Sequence, residues 1–160
     1  MRPVRTRRRV LESLAKTKAL LDVRADSRLQ HHALSEAVLH QIDATFVALV
    51  RQVGDAHGFK PESIQSLEDL VDQLRSRQLV SLEAQKLERL ANDPISWWNA
   101  YQAHAAQILC PAEVIDSVDG NRIPLTDTSG SDQLKTERYA SWVDELSTLV
   151  ADLQAQFDES

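Results

Sequence analysis

His32, Glu36, His40 and Asp43 lie in one apolar-patterned stretch, and at about 100° per helical residue they share a stripe about 80° wide. Imidazoles and carboxylates are the side chains that hold zinc and related divalent ions. Glu36, His40 and Asp43 stand at i, i+4 and i+7, so adjacent members reach one ion. His32 and His40 are separated by about 12 Å of helical rise and do not. Carboxylate metal sites in helical bundles use Glu-x-x-His on two helices, whereas this chain has one Glu-x-x-x-His and needs His104 from another segment to complete a set. The stripe is therefore expected to be a polar seam, hydrogen bonded within itself or to water, with no metal and no cofactor.

Arg51 and His57 form a second pair, Arg-x5-His, near the end of the same stretch. An arginine that grips a phosphate and a histidine that moves a proton are the groups needed for metal-independent RNA cleavage. The same two residue types also serve helix C-termini, where they meet free carbonyls and the negative end of the dipole. Adjacent Trp97 and Trp98 point about 100° apart on a helix, so one is expected in the core and the other at its margin. A marginal indole is a good interface anchor. The chain holds no glycine-rich phosphate loop, nucleophile elbow, paired cysteines or His-Glu-x-x-His segment.

The elements that position these residues are helical. Val10, Leu14, Thr17 and Leu21 recur at three and four residues, marking a first helix from about Arg5 to Arg24. Asp26 and Ser27 cap a second, from about Arg28 to Val53, whose apolar residues run around most of its circumference and mark it as the central, most buried helix. Gly54 and Gly58 are expected to stop it. Ser66 with Asp69 opens a short helix to about Arg75, and Ser81 opens another through Leu82, Leu87 and Leu90. Asn92-Asp93-Pro94 predicts the next start, with Asp93 as cap and Pro94 in the first helical position, leading to a face of Trp97, Tyr101, His104 and Ile108 closed by Pro111. Residues 111–130 break the pattern, as an ordered loop or a short β-hairpin turning at Asp119-Gly120-Asn121. A last helix from about Asp132 to Phe157 carries Tyr139, Trp142, Leu146, Leu149, Leu153 and Phe157 at helical spacing.

These elements make one all-α domain over residues 1–160, a bundle of five to six helices around the long second one. A basic N-terminal helix spans about 1–24, a helical body about 27–110, a loop about 111–130 and a C-terminal helix about 132–157. A chain of 160 residues, 42% hydrophobic and 26% charged, buries a core without disulfides. Its lone cysteine, Cys110, fits a reducing compartment, and the expected location is cytoplasmic. No apolar run approaches the roughly 20 residues of a membrane span, and no membrane association is expected.

Charge is unevenly placed. Residues 1–24 carry eight bases and two acids, +6, so the remaining residues carry −12 of the total of −6. The arginines at 5, 7, 8 and 9 are expected to lie near acids of their own bundle or of a second subunit, with Asp144, Glu145, Asp152, Asp158 and Glu159 as candidates. Nucleic acid is a possible but disfavoured partner, because a polyanion reaching the arm meets the acidic body within about 8 Å of screening length.

Leu34 to Val53 (LSEAVLHQIDATFVALVRQV), Leu87 to Ala103 (LERLANDPISWWNAYQA) and Tyr139 to Glu159 (YASWVDELSTLVADLQAQFDE) carry a resemblance. With its amphipathic first helix, alanine-rich second helix and Asp-Pro-x-x-Trp boundary, the chain resembles an uncharacterised family of short bacterial all-helical proteins. Its helix order also looks like the HEPN fold, whose members include RNases and partners of small nucleotidyltransferases. Active HEPN RNases use Arg-x4-6-His, which only Arg51 and His57 match, and Gln52 follows the arginine where that family often has Asn, Asp or His.

Function read from sequence is thus a non-enzymatic helical interaction module binding a protein partner or a second copy. The alternatives are an HEPN-like RNase or nucleotide-handling domain using Arg51 and His57, and a metal-binding bundle using Glu36, His40, Asp43 and His104.

Overall fold

The computed structural model describes residues 4–110 and 129–159, with side chains over 4–110 and 136–159. It is all-helical: α1 (Val4–Asp22), α2 (Arg28–Ala56), a 3-10 turn (Pro61–Ser63), α3 (Leu67–Ser76), α4 (Leu82–Asn92), α5 (Trp97–Leu109) and α6 (Ser129–Glu159). The expected hairpin near Asp119-Gly120-Asn121 lies outside the described residues.

Hydroxyl side chains open four of the helices. Ser27, Ser66, Ser81 and Ser96 each accept a hydrogen bond from the backbone N–H three residues on, satisfying a donor the helix itself leaves free. The first three match the sequence reading, and the fourth corrects it. Asp93 closes α4 instead of opening α5, Pro94 sits in the turn between them, and α5 starts three residues later. Ser96 wins because it serves both helices: its Oγ accepts from the Asn99 N–H and donates to the Leu90 carbonyl at 2.8 Å. The Asn99 amide adds a bond to the Ala91 carbonyl at 2.9 Å.

The core runs along α2, with α1 and α6 on one side and α3, α4 and α5 on the other. From Val38 to Val53, α2 buries Val38, Leu39, Ile42, Phe46, Leu49, Val50 and Val53. Its first ten residues depart from the expected all-round burial, and Leu29 is 80% exposed. By length and apolarity α2 meets the threshold for a membrane-crossing helix, and here its apolar middle is covered by the other helices, as in the core helix of a bundle. On α6, Tyr139, Trp142, Leu146, Leu149, Leu153 and Phe157 all turn inward, as their spacing predicts.

Two polar seams cross this core. Ser13 and Thr17 of α1 meet Thr45 of α2 where all three are fully buried; Thr17 Oγ1 donates to the Ser13 carbonyl and Thr45 Oγ1 to the Gln41 carbonyl, each at 2.7 Å. Further along, Gln52 of α2 and Gln154 of α6 exchange two amide hydrogen bonds of 2.8 and 2.7 Å. With donor and acceptor of each amide paired, burial of the two groups is tolerated and the register of α6 on α2 is fixed.

The end of α2 also differs from the sequence reading. Gly54 does not stop the helix but lies inside it, buried, facing Ile64. A Cβ built there would overlap the Ile64 Cδ1, so glycine is required for the close approach of the chain after Pro61. Gly58, at φ +82°, is the residue that turns the chain away.

Candidate functional site

Each group of chemistry-bearing residues is positioned by α2, and the bundle treats the groups differently. His32, Glu36, His40 and Asp43 lie on the exposed side of α2. His104 of α5 is directed to α6, where its ring nitrogen shares a 2.7 Å hydrogen bond with the Tyr139 hydroxyl. Among the described residues no three His, Cys, Asp or Glu side chains converge on a position that would hold a metal ion.

Behind the stripe is a continuous aromatic cluster. Phe46 stacks on Trp98 at 3.9 Å between ring centres, Trp98 on Tyr101 at 4.9 Å, and Tyr101 meets Trp142 edge-on at 5.8 Å; Tyr139 and His104 close the row. Trp98 is the indole that enters the core, and Trp97 stays half-buried at its margin. The Tyr101 hydroxyl donates to the Leu39 carbonyl at 2.7 Å. Burial pushes the Tyr101 phenol well above its ordinary value, and the nearby Asp43 carboxylate adds to the effect. Burial likewise raises Tyr139 to about 12, with Arg138 opposing and Glu36 reinforcing the shift. Loss of hydration beside Phe46 and Trp98 raises the Asp43 carboxyl, against the neighbouring His40. These phenols hold the fold; none is poised to give up a proton near neutrality.

Arg51 and His57 make separate contacts at the end of α2. Arg51 Nε donates to the Ile64 carbonyl at 2.8 Å, pinning the segment after Pro61 against α2. His57 lies past the last turn of α2, its backbone N–H bonded to the Gly54 carbonyl at 3.0 Å and its ring 6.4 Å from that of Phe59. The guanidinium faces a backbone carbonyl, the partner a structural arginine takes.

A concavity of a different kind lies between α4 and α6. It encloses about 690 Å³ over an apolar floor of Leu82, Leu90, Trp97 and Leu149. Leu82 is 66% exposed on that floor. Lys86 of α4 and Asp152 of α6 join its walls at 3.2 Å. Asp93, Glu145 and Asp152 against Lys86 and Arg89 leave its rim with one excess negative charge. Gln156 also lines it, and its side-chain carbonyl oxygen is shielded from solvent with no donor among the described residues. Sequence reading ran the helix after Ser81 through Leu82, Leu87 and Leu90 without assigning them to faces. Leu82 and Leu87, about 140° apart on the helix, in fact face different surroundings, and only Leu87 is fully buried. That angular mismatch was the available signal for the groove.

Compared with known proteins, the chain matches no family model, and no curated protein or solved structure is significantly similar to it.

Proposed function

We propose that the protein is a non-catalytic, cytoplasmic helical interaction module that receives a helix of a protein partner in the groove between α4 and α6. The observation that carries this reading is the exposed Leu82 beside half-buried Trp97 on an apolar floor with a charged rim. Helix-in-groove recognition uses this combination: area on the floor supplies affinity, and the rim sets which charges are accepted. The lone Cys110, exposed and unpaired, suits a reducing cytoplasm.

The RNase alternative has less support, because Arg51 Nε is bonded to the Ile64 carbonyl and neither Arg51 nor His57 borders the groove. A metal-binding bundle has less still, since His104 shares its hydrogen bond with Tyr139 and no three His, Cys, Asp or Glu side chains converge among the described residues.

The test is a photo-reactive benzoylphenylalanine in place of Leu82, with Glu62 replaced in the same way as a control outside the groove. Irradiation in cells is expected to give a defined protein adduct at position 82 only, mapped to one helical peptide by mass spectrometry. Absence of an adduct, or equal labelling at 62, would remove the groove as a binding site.

A further inference from the structure

The cations of α1 fall into separate sets around the helix. At about 100° per residue, Arg5, Arg9 and Lys16 lie within about 40° of arc and extend about 16 Å along the axis, with Glu12 in the same line. Arg7 projects about 160–180° away from all three. It is Arg7 that reaches α6, meeting Asp158 at 2.8 Å. The line of Arg5, Arg9 and Lys16 therefore runs on the other side of α1 from that contact.

The acids that could neutralise the line are engaged by other groups. Glu12, the one within it, is held by Arg8 at 2.9 Å. Asp55, where the last turn of α2 meets the first turn of α1, accepts from the Thr6 hydroxyl at 2.8 Å. Sequence reading expected acids of α6 to cover the arginines at 5, 7, 8 and 9. Among the described residues Asp158 alone pairs with one of them, Arg7, while Asp152 pairs with Lys86 of α4 and Glu145 borders the groove between α4 and α6. Arg5, Arg9 and Lys16 are exposed and have no acidic partner among the described residues. The repulsion expected to keep a polyanion off the arm assumed that α6 acids lie beside these cations, and the fold puts α6 on the Arg7 side of α1 instead.

We infer that Arg5, Arg9 and Lys16 form a contact line for the sugar–phosphate backbone of a nucleic acid, gripped without regard to base sequence. The inference is independent of the groove and gives the molecule a second binding face of different chemistry. A backbone strand is the polyanion whose charges themselves lie in a line: about 16 Å spans about five phosphates at 3.4 Å per phosphate of one strand, enough for each of the three cations to meet its own. Two of the three are arginines, whose planar forks match phosphate oxygens. A bilayer surface is the poorer occupant. An interfacial helix buries apolar side chains between its cations, whereas Leu11, the exposed aliphatic residue in the middle of α1, lies about 120–160° from all three.

The salt dependence of binding counts the contacts. Full-length protein is titrated into a fluorescein-labelled DNA duplex and a labelled single-stranded RNA, both of mixed sequence, and followed by fluorescence anisotropy. Three phosphate contacts give a slope of log affinity against log salt of about −2.7 on the duplex and about −2.1 on the single strand, so duplex affinity is expected to fall about fortyfold between about 50 and about 200 mM salt. Arg5→Gln, Arg9→Gln and Lys16→Gln should each reduce the duplex slope by about 0.9, leaving a fall of about twelvefold. Lys18→Gln, which removes a cation about 140–180° around the helix from the line, should leave the slope unchanged. All four positions are exposed, so each variant is expected to keep wild-type circular dichroism. A wild type that binds neither probe at about 50 mM salt, or a Lys18→Gln effect as large as the other three, overturns the inference. Two further results overturn it by naming another occupant: equal competition from polyglutamate at matched charge, which would assign the line to an acidic peptide, and cosedimentation with phosphatidylserine vesicles that is lost in Leu11→Ser, which would assign α1 to a lipid surface. Cross-linking at position 82 reports on the groove alone and is unaffected by any of these outcomes.

Discussion

Gly54→Ala isolates one contact. In a helix interior, alanine is favoured over glycine by about 0.8–1.0 kcal/mol, so propensity alone makes the change stabilising. The added methyl, however, would overlap the Ile64 Cδ1, while the next atoms, Ile64 Cγ1 and Leu70 Cδ1, are at 3.6 Å, ordinary contact. Ile64 is fully buried, so moving its terminal methyl means repacking, at about 1–3 kcal/mol. The net expectation is a loss of about 1 kcal/mol. Ile64→Val removes the one clashing carbon and by itself costs about 0.5–1.5 kcal/mol. In the double variant the alanine methyl occupies the space the valine vacates, and the helix gain is recovered. Its stability should then lie close to wild type, about 2 kcal/mol better than the sum of the singles. Chemical denaturation followed by circular dichroism measures all four corners of the cycle. Additivity within about 0.5 kcal/mol would refute the idea that a single methyl dictates glycine at position 54.

Gln52→Leu or Gln154→Leu alone strands a buried amide and should cost about 2–4 kcal/mol, whereas the double leucine variant is expected to be near neutral; a denaturant cycle with additive effects would contradict the paired arrangement. Both tyrosines of the chain have raised phenols, so the native protein should show no phenolate absorbance near pH 10. Because the unfolded chain loses those protons first, stability should fall as pH rises from about 10 toward 12, by roughly 1 kcal/mol per pH unit for each tyrosine, with phenolate appearing together with loss of helix. Arg7→Ala breaks the exposed contact to Asp158 and is expected to lower stability by less than about 1 kcal/mol, read as a small shift of the thermal midpoint; a large loss would mean that the pair organises α1.

Features written within one helical turn were legible from sequence. Ser27, Ser66 and Ser81 cap as expected, because a hydroxyl and the N–H three residues on belong to the same local geometry. The helical spacing on α1 and α6 likewise picked out residues that face the core. What was illegible depends on distant partners. Asp93 and Ser96 are both good caps three residues apart, and the choice between them is made by the Leu90 carbonyl at the end of the preceding helix. Gly54 reads as a terminator until Ile64 is placed against it. Gln52 and Gln154, 102 residues apart, carry no sign of each other in sequence. The groove has the same origin: Leu82 on α4 and Leu149 on α6 become neighbours only when both helices pack.

The location of the candidate site follows from what the bundle does with its polar groups. Chemistry in a helical bundle requires side chains from at least two elements to meet at one point with unfilled bonding capacity. On the α2 side, the elements that approach Glu36 and Asp43 bring Tyr101 and Tyr139, whose hydroxyls are already bonded to the Leu39 carbonyl and His104. The neighbouring carboxylates raise these phenols further and so stabilise their neutral, hydrogen-bonded state. At the end of α2, Arg51 is bonded to a carbonyl of the chain it pins. These bonds tie the two phenols and the Arg51 Nε into the fold. Between α4 and α6 capacity remains, in the exposed Glu145 carboxylate and the uncovered Leu82. The exposed apolar and charged groups of that groove are the basis of the docking site proposed above.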